Sequence, residues 1–134
     1  MLPELGSPAD WIRHARSDLA VARQAPSGDL LAETICFHAQ QTVEKSVKAV
    51  LVHVGIRSPK THNIERLVGL LPAAVTRIPA LADAGWLTVY ATTLRYPGAQ
   101  ETVSDNKLRE AVRLAEAVVA WASDIVGASL TDGR

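Results

Sequence analysis

Apolar residues recur every three or four positions through the first half of the chain, from Leu31 to Val54. This spacing places them on one face of an α-helix. The stripe consists of Leu31, Ile35, Ala39, Val43, Val47, Val50 and Val54. It predicts a helix from about Asp29 to His53, ended by Gly55, because glycine commonly follows a helix C-terminus. Leu, Ala and Val are abundant and aromatic residues few, a balance that favours helices over a β-sandwich.

Three further helices are indicated by capping residues and by proline. Ser7, Pro8 and Asp10 match an N-cap, a first-turn proline and a first-turn acid, and they predict a helix that ends before Pro26. A short third helix is expected over residues 64–71, and a fourth over residues 86–94, ended by Pro97. The sequence thus predicts an all-α, antiparallel four- to five-helix up-and-down bundle.

The last helix is expected from Ser104, as N-cap, to Val126, with Gly127 and a polar tail ending the fold. Its apolar positions cover more than half of the circumference, which exceeds the need of one bundle seam. The surplus predicts that a second chain packs there. The residues assigned to this dimer interface are Leu114, Val118 and Trp121.

Length and composition set the broad class. A chain of 134 residues predicts one domain, 1–134, with its core at about 7–127. Fourteen basic and fourteen acidic side chains cancel, so any anion or RNA site must be a local patch. Cys36 is the one cysteine, which excludes an intrachain disulfide, and no apolar run suits a secretion signal or a membrane span. We expect a cytoplasmic protein.

A polar row accompanies the apolar stripe of the second helix. His38, Gln41, Lys45 and Lys48 follow steps of three and four, so they share one helix face. Ammonium groups can coordinate phosphate, and Gln or His can hydrogen-bond a base or sugar. Alternatively, the lysines form a solvated face, in which Glu44 and Lys48 make an exposed pair worth about 0.3–0.5 kcal/mol, and His38 is a core residue.

Other polar groups are assigned by their neighbours. Asp18 interrupts the apolar side of the first helix, and a carboxylate near the core persists only when paired, so Lys45 or Arg95 is its expected partner. Arg95 and Tyr96 precede the turn at Pro97. Arg95 is either a helix C-terminal cation or a phosphate contact, with Tyr96 available to stack on a base.

Metal and cofactor chemistry finds little support. The four histidines lack the short spacings that prepare a metal site, and Cys36 lies among apolar neighbours, where it serves as a small hydrophobe. Neither a phosphate loop nor a Gly-x-Gly-x-x-Gly motif occurs. We therefore expect neither a metal nor a cofactor.

Several motifs taken in order resemble the HEPN family. These are Asp18-Leu19, FHAQQTVEKSVKAVL, PKTHN, LRYPG and a long apolar last helix, and the similarity extends from about Trp11 to Val126. The resemblance implies a helical bundle, usually a homodimer, linked to nucleotide or RNA binding. Many members are encoded beside a small nucleotidyltransferase, often as toxin and antitoxin.

The resemblance also implies where a ribonuclease motif would lie. Members that cleave RNA without metal carry Arg followed, after four to six residues, by His. The matching arginine is Arg95, but Gln100, Glu101 and Thr102 occupy the positions of the histidine. None of these replaces an imidazole as general base, so catalysis is not the leading expectation.

Three functions remain open. The leading one is a non-catalytic, homodimeric HEPN protein that binds a nucleotide or RNA and works with a partner nucleotidyltransferase. It expects Lys45, His62 and Arg95 to converge on one anion-sized hollow. The second is a metal-independent ribonuclease toxin in which Arg95 holds phosphate and His62 or His38 is the base. The third is a structural helical adaptor.

Overall fold

The computed structural model describes residues 6–98 and 102–132, but not the side chains of Arg95 and residues 128–132. Gln100 and Glu101, two of the positions at which the motif histidine is missing, lie outside the described residues. Five α-helices and two short 3-10 helices are described. The α-helices are α1 Pro8–Ala22, α2 Ala32–His53, α3 Ile64–Gly69, α4 Pro79–Asp83 and α5 Asp105–Asp132; the 3-10 helices are Gly85–Tyr90 and Thr93–Arg95.

Helix α2 is the central element, packed against both α1 and α5. Helices α1 and α2 are antiparallel, because Trp11 near the start of α1 lies against Lys48 near the end of α2, whereas Asp18 near the end of α1 contacts His38 near the start of α2. Residues on nearly every side of α2 from Ala39 to Leu51 are buried. This central position explains its long apolar stripe, and it also encloses Cys36, which is fully buried.

Helix α5 packs against α1 in the opposite direction. Arg16 donates to the Ser123 hydroxyl at 3.1 Å, and Arg23 pairs with Glu116 at 2.9 Å, so residue numbers rise along one helix as they fall along the other. The predicted all-α bundle is confirmed. Helices α2 and α5 are parallel, and the long connection that joins them in the chain contains α3, α4 and both 3-10 helices. In the described ranges, no helix has the length and apolar character that crossing a bilayer requires.

The start of α1 is fixed by the capping residues that the sequence indicated. The Ser7 hydroxyl accepts from the Asp10 backbone N–H at 3.1 Å, and the Asp10 carboxylate accepts from the Ser7 backbone N–H at 3.0 Å. These two bonds form a capping box. The hydrogen bond from the Ser7 backbone, followed by the one from its side chain, lowers the pKa of Asp10 below its ordinary value.

This lowered pKa gives a prediction for stability in acid. A carboxyl whose pKa is lower in the folded chain stabilises the fold above its unfolded pKa, and that contribution is lost as the pH falls through the folded value. Asp10→Asn is therefore expected to be less stable than the natural chain near neutral pH. The two chains should become equally stable in strong acid. Urea unfolding at both pH values measures this, and a constant difference would contradict it.

The fourth helix predicted over residues 86–94 is wrong in type. The chain instead forms α4 ahead of this stretch and two 3-10 helices within it. Two threonine hydroxyls bond to backbone here: the Thr88 hydroxyl accepts from the backbone N–H of Ile64, and the Thr92 hydroxyl donates to the Thr88 carbonyl. Side chains that bond to backbone in this way compete with a regular α-helix.

The last helix also differs from its prediction in two respects. The Ser104 hydroxyl accepts from the Lys107 backbone N–H at 3.1 Å, in agreement with the predicted start, but α5 continues to Asp132 and Gly127 lies inside it. Leu114 and Val118 are fully buried within the single chain and Trp121 is 8% exposed, so assigning them to a dimer interface was wrong. The segment before α4 covers this face, and the Trp121 indole donates to the Thr76 carbonyl at 2.7 Å.

Candidate functional site

The Asp18 carboxylate joins two side chains of α2. One oxygen lies 2.8 Å from His38 Nδ1, and the other accepts from Lys45 Nζ at 2.7 Å. Asp18 is buried on α1, whereas His38 and Lys45 are about two helical turns apart and approach it from either side. The sequence left Lys45 and Arg95 as alternative partners of Asp18, and the structure shows the pair with Lys45. We call these three residues the Asp18 cluster.

A second carboxylate, Glu44, gathers a more deeply buried group. Its Oε2 accepts from Lys48 Nζ at 3.0 Å, and its Oε1 lies 2.8 Å from His62 Nδ1. Gln40 donates to the same Oε1 at 3.0 Å and to the His62 carbonyl at 3.1 Å. Glu44 is only 4% exposed and Lys48 2%. These four residues form the Glu44 cluster, which connects the segment before α3 to α2.

The polar row that the sequence predicted is split between the two clusters. His38 and Lys45 belong to the Asp18 cluster, and Lys48 belongs to the Glu44 cluster. Lys48 is buried against Glu44 and the ring of Trp11, at 5.4 Å from the ring centroid. The expectation that Lys48 meets a ligand, and that Glu44 and Lys48 form an exposed pair, was therefore wrong. Gln41 is half-buried and donates to the Gln40 side chain at 2.6 Å. After the first two turns of α2, the face that carries the polar row therefore makes mainly contacts within the chain.

A cavity of about 550 Å³ opens beside the N-terminal half of α2. The cavity is lined by residues of α2, of both 3-10 helices and of the turn at Pro97. The lining residues are Leu31, Glu33, Thr34, Phe37, His38, Tyr90, Leu94, Tyr96, Pro97 and Gly98. Gly98 has a φ of 91°, a left-handed conformation that suits glycine and completes this turn. The Tyr96 side chain is 66% exposed, whereas Tyr90 is buried.

The cavity brings together two of the predicted ligand-binding residues, His38 and Tyr96. Arg95 lies between two lining residues, Leu94 and Tyr96, so its backbone is beside the cavity; its side chain is outside the described part. Lys45 and His62 are not in the lining and belong to different clusters. The expected convergence of Lys45 and His62 on one hollow is therefore absent from the described structure.

Several lining residues were missed by sequence reasoning although a signal existed. Thr34 lies four residues before His38, so it continues the polar row toward the start of α2. The predicted row begins at His38 and therefore leaves Thr34 out. Glu33 and Phe37 lie on the adjacent line. The segment that contains Tyr90 and Pro97 lines the cavity because the chain folds back against α2. The local sequence contains no signal for that long-range contact.

The described residues contain no group of three or more His, Cys, Asp or Glu side chains arranged to hold a metal ion. The chemistry available beside the cavity is instead that of an imidazole, aromatic rings, a hydroxyl and a carboxylate. Aromatic rings can stack on planar bases, and the imidazole and hydroxyl can hydrogen-bond a base or sugar. This combination fits an organic ligand with a planar group.

Comparison with known proteins defines the class. The HEPN domain profile matches residues 8–125, which is most of the chain. This chain therefore belongs to the HEPN domain family, which is linked to nucleotides and RNA. The resemblance noted from the sequence motifs is confirmed.

Two crystal structures share this fold. ST0689, an archaeal HEPN homologue, is 30% identical with a TM-score of 0.71, and the alignment covers 91% of this chain and 99% of that one. TT1696 from Thermus thermophilus is 26% identical with a TM-score of 0.72, covering 87% of this chain and 96% of that one. No curated protein matches the chain significantly.

Proposed function

We propose that this chain is a nucleotide- or RNA-binding HEPN protein without chemistry of its own, which acts as a homodimer with a partner nucleotidyltransferase in a toxin–antitoxin-like system. The observation that carries the binding proposal is the cavity in which His38 and Tyr96 come together. Its volume of about 550 Å³ is within the range typical of small-molecule sites. The family's link to nucleotides gives the ligand class.

The residues beside the cavity divide the work of binding. The exposed ring of Tyr96 provides a stacking face for a base, and His38 provides a hydrogen bond. Arg95, next to Tyr96 in the chain, supplies the phosphate contact, because a guanidinium binds phosphate oxygens with two parallel hydrogen bonds. Lys45 has the supporting role of neutralising Asp18 beside His38.

Titration of the purified chain with ATP, adenosine and a short RNA tests this division. Tyr96→Ala is expected to weaken the binding of both ATP and adenosine by about tenfold, the usual loss of affinity for one stacked base. Arg95→Ala should weaken ATP but leave adenosine unchanged. Leu70→Ala and Arg57→Ala, at exposed positions outside the cavity lining, are the matched controls. Absence of binding by all three ligands would overturn the proposal.

The homodimer is tested by the mass of the natural chain in solution at several concentrations. A Trp121→Glu variant is unsuitable for this test, because Trp121 is packed within one chain and donates to Thr76. Loss of folding in that variant would imitate loss of the dimer. A monomer at all concentrations would contradict this part of the proposal and leave ligand binding intact.

A ribonuclease is the second candidate, favoured by one observation. The Asp18 carboxylate holds the His38 ring beside the cavity, and an oriented imidazole is suited to general-base chemistry. RNA cleavage in the presence of EDTA, abolished by Arg95→Ala and by His38→Ala, would replace the non-catalytic proposal. The adaptor hypothesis was based on the apolar face of α5. That face is largely buried within the chain, so the hypothesis loses its main support.

A further inference from the structure

The hydrogen bond between Asp18 and His38 fixes which ring nitrogen carries the proton. An ionised carboxylate has only acceptor oxygens, so the His38 nitrogen that faces it, Nδ1, must be the donor. The neutral imidazole carries one N–H, and Nε2 is then an unprotonated acceptor. Lys45 donates to the second Asp18 oxygen, so both oxygens of the carboxylate have a partner on α2. In its neutral form His38 therefore has Nε2 as its hydrogen-bond acceptor, and His38 lines the cavity.

The charged side chain in the rest of the described lining is also an acceptor, and the Thr34 and Tyr96 hydroxyls can donate or accept. Glu33 adds a carboxylate, and Lys and Arg are absent from the described lining. A phosphate in this cavity would meet an acceptor nitrogen and a negative charge, which disfavour it. A planar group with its own N–H donors has the complementary polarity, and the rings of Phe37 and Tyr96 match its shape.

We infer that the cavity takes the base of a nucleotide through an exocyclic amino group, which donates to His38 Nε2, and that Asp18 is the positioning residue that makes His38 an acceptor. This inference rests on the proposed nucleotide binding and deepens it. It assigns the base to the cavity and leaves the phosphates outside it. An amino-bearing base such as adenine is the ligand group that fits.

Adenosine and purine riboside provide a direct test on the natural chain. They differ by the amino group alone, so adenosine should bind about fivefold to tenfold more tightly, the net effect of one hydrogen bond. 2′-Deoxyadenosine should bind like adenosine. Equal binding of adenosine and purine riboside, or weakening of only the deoxynucleoside, would overturn the amino-group inference while nucleotide binding stands. Failure of every nucleoside and of ATP to bind would overturn both.

The protonation of His38 is measured independently of any ligand. Two-bond ¹⁵N–¹H correlation spectra under mildly alkaline conditions distinguish the two neutral forms of an imidazole, and His38 should carry its proton on Nδ1. His62 is an internal reference, because its Nδ1 faces Glu44 in the same manner. A proton on Nε2 of His38 in the natural chain would overturn the inference.

Asp18→Asn should reverse the role of His38. Lys45 needs an acceptor, so the asparagine oxygen turns toward it and the amide NH₂ faces His38 Nδ1, which must then accept. The proton moves to Nε2, and the preference for adenosine over purine riboside should disappear, whereas His62 keeps its proton on Nδ1. A retained preference together with an unchanged His38 proton would overturn the positioning role. If this variant does not fold, the spectra and nucleoside comparison of the natural chain decide the inference.

Discussion

Glu44→Gln is expected to lower the free energy of unfolding by about 3–5 kcal/mol, the usual cost of breaking a buried ion pair by removing one charge. The substitution preserves shape but removes the negative charge that faces Lys48, whose side chain is almost completely buried. The His62 imidazole and Gln40 also lose their shared carboxylate oxygen. The attachment of the segment before α3 to α2 is thereby weakened, and the bond from Gln40 to the His62 carbonyl remains.

Urea unfolding followed by circular dichroism measures this loss. Glu65→Gln, at an exposed position of α3, is the matched control and should change the free energy of unfolding by less than about 0.5 kcal/mol. Adding Lys48→Met to Glu44→Gln should recover part of the loss, because the buried ammonium that lost the Glu44 charge is then also removed. A loss below about 1 kcal/mol in the single variant would show that the Glu44 cluster does not support the fold in this way.

Leu114→Ala is expected to lower the free energy of unfolding by about 2–5 kcal/mol, because it leaves a cavity in a fully packed interior. This result distinguishes a core residue from an interface residue. For a core residue the loss is the same at every protein concentration, whereas a dimer contact makes it depend on concentration.

Thermal and urea unfolding at two widely separated protein concentrations provide that measurement. Leu70→Ala removes the same atoms from a side chain that is 39% exposed, so it is the matched control with a smaller loss. If Leu114→Ala is harmless in dilute solution and harmful only when the protein is concentrated, then the assignment of Leu114 to the interior is incorrect.

The sequence was sufficient to locate the long helices because their signals are local. Ser7 and Ser104 form the capping bonds that their positions predicted, and the stripe of α2 predicted its burial. The stretch from residue 86 to 94 was misassigned because its spacing suits a helix while Thr88 uses its hydroxyl to bind a backbone N–H from α3. That contact joins segments distant in sequence, so local periodicity contains no trace of it.

The candidate site was only partly predictable for the same reason. A Glu and a Lys four residues apart on a helix usually form a surface pair, and only the packing of Trp11 and His62 against them reveals their burial. Asp18 was recognisable as a residue in need of a partner, since it interrupts an apolar face. The meeting of His38 with Tyr96 depends on how the chain returns after α4, which no local motif specifies.

The sole thiol of the chain is enclosed in α2, at the centre of the bundle. An alkylating reagent can reach Cys36 only when the neighbouring helices separate. The rate of its covalent labelling therefore reports how readily they separate, and no engineered probe is required. Ligands that bind the closed bundle will slow the labelling in proportion to their occupancy.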